Sequence, residues 1–332
     1  MRSKRGKGER GFVFVGTGVS LFIIVTFFAL VVDLGHIFVT KSELQNAADA
    51  AALAAAVDLP WSQNTARQAA LDFAQSHWAV DSNIKLAPED IQFGNFNTST
   101  SQLQMGVGPV NGIQVKARRV TGAPSGPLPL FFAKLFGKNT SNVQASSRSY
   151  LDQHVVGVTG KNRLIPYSVI NFVVDQDRNG QYDLGSIVNI HARSDAPGNF
   201  GFLDLDGGSN DVPELRRYLE EGYDHDFVIP PGGSVPVLGS TGIDGNSLLN
   251  SFQQIIDDVV FLPVHNRVDY QGSNAVFNVV GILAVKVLKV KLTGTLNSRY
   301  IRVQIIYFAS SALVVNSAAP INNSLAKPRL VG

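Results

Sequence analysis

Residues 12–32, FVFVGTGVSLFIIVTFFALVV, run for 21 positions without an ionisable side chain. A helix of that length rises ~1.5 Å per residue and so matches the ~30 Å hydrocarbon core of a bilayer. The tail before it holds Arg2, Lys4, Arg5, Lys7 and Arg10 against Glu9, and Asp33 follows directly after it. The basic flank stays cytoplasmic, which predicts about 300 residues on the far side of the membrane. A cleaved leader fits less well, because its apolar region is about 7–15 residues with a small-residue cleavage site close behind. Here the nearest A-x-A spacing lies within residues 49–56. A soluble core helix fits less well too, since a basic tail running straight into an unbroken apolar stretch is a membrane pattern. Within the run, Gly16 and Ser20 have the small-xxx-small spacing that lets helices approach closely.

Charge divides along the same boundary. Residues 1–11 carry +4, and the 23 basic and 25 acidic groups beyond them leave −2. A nearly neutral outer part with no basic patch offers nothing to nucleic acid. The chain has no cysteine, which excludes disulfides and thiolate metal sites. At 332 residues there is room for about two domains beside the anchor.

The helix is expected to continue past the membrane. Residues 33–58 are strong helix formers, with alanine from 47 to 56 broken only by Asp49 and Leu53. Leu34, Ile37, Phe38, Lys41, Leu44, Ala48, Ala51 and Ala55 recur at helical spacing and predict the packed stripe. Pro60 ends a rod of roughly 45 residues. A second helix is predicted over Ala66–Val80, capped by Asn64 or Thr65, with Ala69, Ala70, Phe73, Ala74, His77 and Trp78 on one face. The period then changes to two. IQFGNF, QLQMGV, GIQVKARRV and NVQASSRSYL read as strands of an antiparallel sheet, with Leu130–Phe136 as a short apolar helix closing on it.

From residue 153 to 315 a second β-rich domain is expected. Its strands are read at Ile165–Val174, Ser186–Ala192, Gly201–Leu205, Phe227–Ile229, Ala275–Leu292 with a bend at Gly281, and Tyr300–Phe308. Its helices are read at Val212–Glu221 and Ser247–Val259. Residues 316–332 are polar and read as a flexible tail. The fold class is therefore α+β: a tail (1–11), a transmembrane helix (12–32), a region of long helix, second helix and antiparallel sheet (33–152), and the second domain. A long helix half in the membrane followed by such a sheet has the outline of a pilin.

Several stretches together resemble the TadG-like proteins of the Tad (Flp) pilus-assembly family. They are RGFVFV opening the apolar run, the Asp33 and Gly35 doublet, LQNAADAAALAAA over residues 44–56, and the order IQFGNF, VKARRV, PLPLFFAKLFG, VQASSRSY. Looser matches follow in SDAPGNFGFLDLDGG, LRRYLEEGY, FLPVHN and NAVFNVVGILAVKV. The resemblance implies a single-pass protein of the bacterial inner membrane, N-terminus cytoplasmic and outer domains periplasmic or extracellular. It implies no enzymatic activity, with the bilayer and other pilus-assembly proteins or pilin subunits as partners and no small-molecule substrate. The assembly interface would involve Gly16, Ser20, Asp33, Gly35, Leu44, Gln45, Asn46, Ala47, Ala48 and Asp49. Asp33 itself reads either as a partner contact or as an ordinary carboxylate at the membrane edge. Cleaved pilins of this group carry a Glu five residues after a Gly; Gly11 leads to Gly16 and Gly8 to Val13, which argues against processing and against a major-subunit role.

One motif points to an ion. Asp175, Asp177, Asn179, Gly180, Gln181 and Asp183 match the first nine positions of a Ca²⁺ loop, whose hard oxygen ligands suit that cation. The twelfth position is Ser186 rather than a bidentate Glu, so a polar turn satisfying its own backbone is the competing reading. No cofactor is required; a structural Ca²⁺ is the one candidate. Asp204, Asp206, Ser209 and Asp211 form a second acidic turn. Histidines 36, 77, 154, 191, 225 and 265 show no metal-ligand spacing, and Asp224-His225-Asp226 lacks an accompanying nucleophile motif. The functional expectation is a structural pilus component, accessory or minor pilin-like; the alternatives are a membrane-anchored Ca²⁺-dependent extracellular binding module or adhesin and, with least support, an anchored hydrolase.

Overall fold

The computed structural model describes residues 7–331 apart from 81, 99, 101, 192–198, 209–210, 242–244, 272–273 and 296–297. The chain is α+β and divides into two compact units, Met1–Tyr150 with Leu330–Gly332, and Leu151–Arg329.

In the first unit one helix, α1 (Lys7–Asp58), runs unbroken for 52 residues, about 78 Å at the α-helical rise. It meets the length and hydropathy of a membrane span, and the side chains of its apolar stretch are almost all exposed. Beyond that stretch the helix packs on α2 (Gln63–Gln75) and on the sheet strand β3 (Gly112–Arg119). Leu44, Ala47, Ala48, Ala51, Ala52, Ala55 and Ala56 are fully buried there, and α2 answers with Ala66, Ala70 and Ala74. Methyl-sized side chains on both helices leave little between the backbones, so the contact is close and dry. Within this unit the strands follow the order β4 (Val143–Asp152), β3, β1 (Ile91–Asn97) and β2 (Gln102–Met105), each of these neighbouring pairs antiparallel.

Several expectations shift here. The buried face of α1 starts with Ala29, Asp33 and Thr40, whereas Leu34 and Phe38 point outward. Asp33 and Thr40 can be buried because each finds a partner, the Thr40 hydroxyl donating to the His36 carbonyl at 2.7 Å. Ser62, not Asn64 or Thr65, caps α2, its Oγ accepting from the Thr65 N–H at 3.0 Å. The helix stops at Gln75, so Trp78 falls in a short strand and is exposed. The boundary between the units lies at 150/151 rather than 152/153.

The second unit is built around β12 (Val276–Lys291), a 16-residue strand. β11 (Val259–Asp269) pairs antiparallel along it, β10 (Val235–Thr241) covers its first half, and β13 (Tyr300–Ile305) its second. β7 (Ile187–His191) joins β13, β8 (Asn199–Leu203) joins β10, and β6 (Val169–Ile170) runs parallel to β11. The register slips where Val264 faces Gly281 but His265 faces Val279. A side chain at 281 would collide with the Tyr182 hydroxyl, 2.6 Å from an added Cβ. Side chains alternate across the sheet. One face packs Leu262, Leu283, Val285 and Val303 against Leu215 and Leu219 of α3 (Val212–Glu221) and Leu248 and Phe252 of α4 (Gly245–Gln254). The other gathers Phe261, Phe277, Val279, Ile282 and Ala284. A smaller sheet joins β5 (Val155–Val158) to β9 (Phe227–Val228) and β14 (Leu313–Val315).

Three readings of this region need correction. Ile165–Val174 is mostly irregular, with strand only at Val169–Ile170 and a helical turn at Asn171–Val174. The predicted helix Ser247–Val259 ends at Gln254, and Val259 opens the long strand β11. Residues 316–331 are not a frayed tail. Ser324 and Leu325 are fully buried, the Ser324 hydroxyl donates to the Ile306 carbonyl at 2.8 Å, and the Asn322 amide donates to the Ile282 carbonyl at 2.8 Å. Polar side chains here replace the hydration of buried backbone, so a polar composition does not imply disorder. Ala192 and Ser209 lie outside the described residues.

Candidate functional site

The first unit brings together two segments nearly a hundred residues apart. At Pro129 the chain pairs Leu128–Pro129 with Thr140–Ser141 as a short ribbon. The loop at its tip winds into a single 3₁₀ turn, Ala133–Phe136, closed by Gly137 at φ +80°. That left-handed geometry suits glycine and lets its N–H return to the Lys134 carbonyl at 3.1 Å. The three N–H groups at the start of the turn have no partner within it and point at α1.

Asp33 supplies that partner. Its Oδ1 accepts from the N–H of Phe131 at 2.8 Å and of Phe132 at 3.3 Å; its Oδ2 accepts from Phe132 at 3.1 Å and Ala133 at 2.6 Å. The carboxylate is 5% exposed. Hydrogen bonds to an ionised acceptor are shorter and stronger than neutral ones, and three successive N–H groups form a concave anion cradle. Burial of the charge is thus matched by donors within the chain, and Asp33 serves an internal contact. The His36 ring completes it from one turn on, 4.8 Å from the Phe131 ring.

The loop buries Leu128 and Leu130 but turns Phe131, Phe132, Leu135 and Phe136 outward. It therefore closes on α1 rather than over the sheet, and presents an apolar shoulder beside the helix. An apolar cleft of about 270 Å³ lies between them, lined by Ala29, Leu30, Leu34, Leu130, Phe132 and Phe136. Sequence reasoning placed a short helix here but missed both the clamp and the shoulder. The signal was present in LFFAKLF, an apolar segment too short to form a core element by itself.

The other residues expected at an assembly interface separate into two groups. Gly16, Ser20, Gly35 and Asn46 are exposed on α1. Leu44, Ala47 and Ala48 are buried against α2 and the sheet, and Gln45 bridges the Asp49 carboxylate at 2.8 Å and the Ser146 carbonyl at 3.4 Å.

In the second unit the loop from Asp175 directs its oxygens at its own backbone. Asp175 accepts from the N–H of Asn179 and of Gly180, both at 3.1 Å, Asn179 accepts from Gln181 at 2.7 Å, and Asp183 accepts from Gln176 at 2.9 Å. Among the described residues no three His, Asp or Glu side chains converge as a metal-binding group. The acidic turn is arranged differently. Asp206 accepts from the Tyr218 hydroxyl at 2.6 Å and the Gly208 N–H at 3.0 Å, with His225 Nε2 3.7 Å away. Burial works to raise the Asp206 carboxyl, but these donors and the imidazole outweigh it and hold it below the usual carboxylate range. Burial and the surrounding aspartates push the Tyr223 hydroxyl up to about 12. Asp226, by contrast, accepts from the Thr159 hydroxyl at 2.6 Å and the Gly160 N–H at 2.9 Å. These contacts brace turns between elements of the unit.

Residues 11–58 match a family model described as Flp pilus-assembly TadE/G-like, and residues 40–148 match one described as Tad-like Flp pilus-assembly. The two matches overlap on the Ala-rich half of α1 and extend through the first sheet to Arg148. Comparison with curated proteins and with solved structures finds no match.

Proposed function

We propose that this chain, a member of the TadE/G-like Flp pilus-assembly family, is a TadG-like, non-enzymatic accessory or minor pilin-like component of a Tad pilus. The observation that carries the reading is α1 itself. One helix supplies an apolar, lipid-ready half and an Ala-rich half that is the core of an antiparallel head. A helix so built can sit alone in a bilayer or slide against the helices of polymerising subunits, while its head stays folded outside. The basic tail supports an orientation with the N-terminus cytoplasmic, the protein held in the inner membrane and both units on the outer side. Other pilus-assembly membrane proteins or pilin subunits are the partners of this reading, through exposed α1 positions such as Gly16, Ser20, Gly35 and Asn46.

Deletion of the gene tests it. Thin surface pili should disappear, and only the full chain, not a form lacking residues 2–32, should restore them. Unchanged pilus number and length in the deletion strain would overturn the assembly role and leave a surface-binding module to be examined.

A further inference from the structure

The apolar shoulder lies at a definite height along α1. The cleft beneath it is lined from Thr26 to Ile37. Thr26 to Val32 belongs to the charge-free run, so the shoulder overlaps the last ~9 Å of the membrane-spanning segment at 1.5 Å per residue. Interfacial apolar segments bury by about 5–10 Å into the boundary between headgroups and acyl chains. The side chains are those of such a segment: Leu135 (76% exposed) and Phe136 (68% exposed) face outward, Phe131 and Phe132 keep part of their rings exposed, and exposed Lys134 and Lys138 lie among and beside them. Exposed apolar surface also continues up α1 past Asp33, through Leu34, Phe38 and Val39. Shoulder and helix thus form one apolar band continuous with the lipid-facing run.

We propose that the Leu130–Phe136 loop is a second membrane-inserting element, embedded in the leaflet at the Asp33 end of the span. Phospholipid acyl chains occupy the cleft between loop and helix, and the two lysines reach the headgroup phosphates. The Asp33 clamp is then explained. A carboxylate at acyl depth has no water to satisfy it, and three backbone N–H groups in the same position would be equally exposed to lipid. Each satisfies the other, so the loop enters the bilayer without an unpaired polar group. This proposal rests on the membrane-anchor reading of residues 12–32.

The test uses the full chain in phosphatidylcholine vesicles, with Trp61 and Trp78 replaced by Phe. A single tryptophan is then introduced by L135W, on the shoulder, or by F22W, in the middle of the run. Lipids brominated at known acyl positions report depth. L135W emission should shift to the blue and be quenched by bromines near the headgroup end of the chain, and F22W by those near its far end. Adding Asp33→Ala to L135W should remove the quenching while the far-UV circular dichroism stays unchanged. If F22W is quenched by lipid but L135W only by aqueous iodide, the shoulder is outside the bilayer, open to a protein partner, and the proposal fails alone. If neither is quenched by lipid, the anchor reading itself fails. Persistent L135W quenching in Asp33→Ala would overturn the role given to the clamp.

Discussion

Replacing Asp33 by alanine removes a single acceptor that serves three N–H groups, those of Phe131, Phe132 and Ala133. A hydrogen bond to a charged group contributes about 1.5–3 kcal/mol, so one bond per N–H gives an upper range of about 4.5–9 kcal/mol. Opening hands the freed N–H groups to water in wild type and variant alike, and allowing for that exchange leaves a net cost of about 3 kcal/mol to the closed loop. At about 1.4 kcal/mol per tenfold, that is a rise of about a hundredfold in the open fraction. Because the loop contributes few buried side chains to the sheet core, the opening is local and global unfolding changes little. Amide hydrogen exchange of the full chain in detergent micelles measures it directly. Residues 131–133 should exchange about a hundredfold faster in Asp33→Ala, while amides of residues 44–56 keep their protection as an internal reference. Asp33→Asn, which retains one acceptor oxygen, should fall between. An acceleration of less than about threefold at residues 131–133 would mean that the carboxylate does not hold the loop, and the argument would fail.

Three further outcomes are expected. Gly281→Ala should destabilise the second unit by about 1–3 kcal/mol in denaturant titration through its clash with Tyr182, and Tyr182→Phe should recover part of the loss; independent effects of the two changes would refute the contact. Asp206 has a folded pKa below its unfolded one, so its stabilisation is complete above the ordinary carboxylate range near pH 4 and is lost as pH falls through the folded value. Asp206→Asn should therefore weaken the fall in melting temperature on acidification below about pH 4, measured against wild type. Asp175→Ala should lower the melting temperature in chelator, because the carboxylate serves the N–H groups of Asn179 and Gly180; an equal loss in Ca²⁺ would favour the plain polar turn, and a larger loss in Ca²⁺ the ion loop.

The first unit was legible where the pattern is enforced by water or lipid. An apolar run without charge has one use, and strands such as Gly112–Arg119 and Val143–Asp152 alternate because one face meets the core. The phase of α1 was misread at Leu34 and Phe38 because near lipid an outward apolar side chain carries no penalty, whereas a buried Asp33 needs donors that the local sequence does not reveal. Strand β11 was hidden for another reason. FLPVH is a continuous apolar run directly after a helix, and Pro263 within it argues against a central strand. Gly281 was recognisable as a discontinuity, but not that Tyr182 fills the space. The acidic residues of the candidate ion loop gave spacing without direction; only the fold shows that they turn toward their own N–H groups.

The unbroken course of α1 through Asp33 to the Ala-rich core has a consequence for how the length of this region can vary. One residue inserted between Asp33 and Leu44 would turn everything before it by ~100° and shift it by ~1.5 Å, taking Asp33 away from its loop while the alanines stayed seated. An insertion of seven residues would nearly restore the angle but displace the carboxylate by ~10 Å. No integer change keeps both contacts. The distance from lipid boundary to head is therefore fixed like the teeth of a gear, and variation in reach has to come from loops elsewhere in the chain.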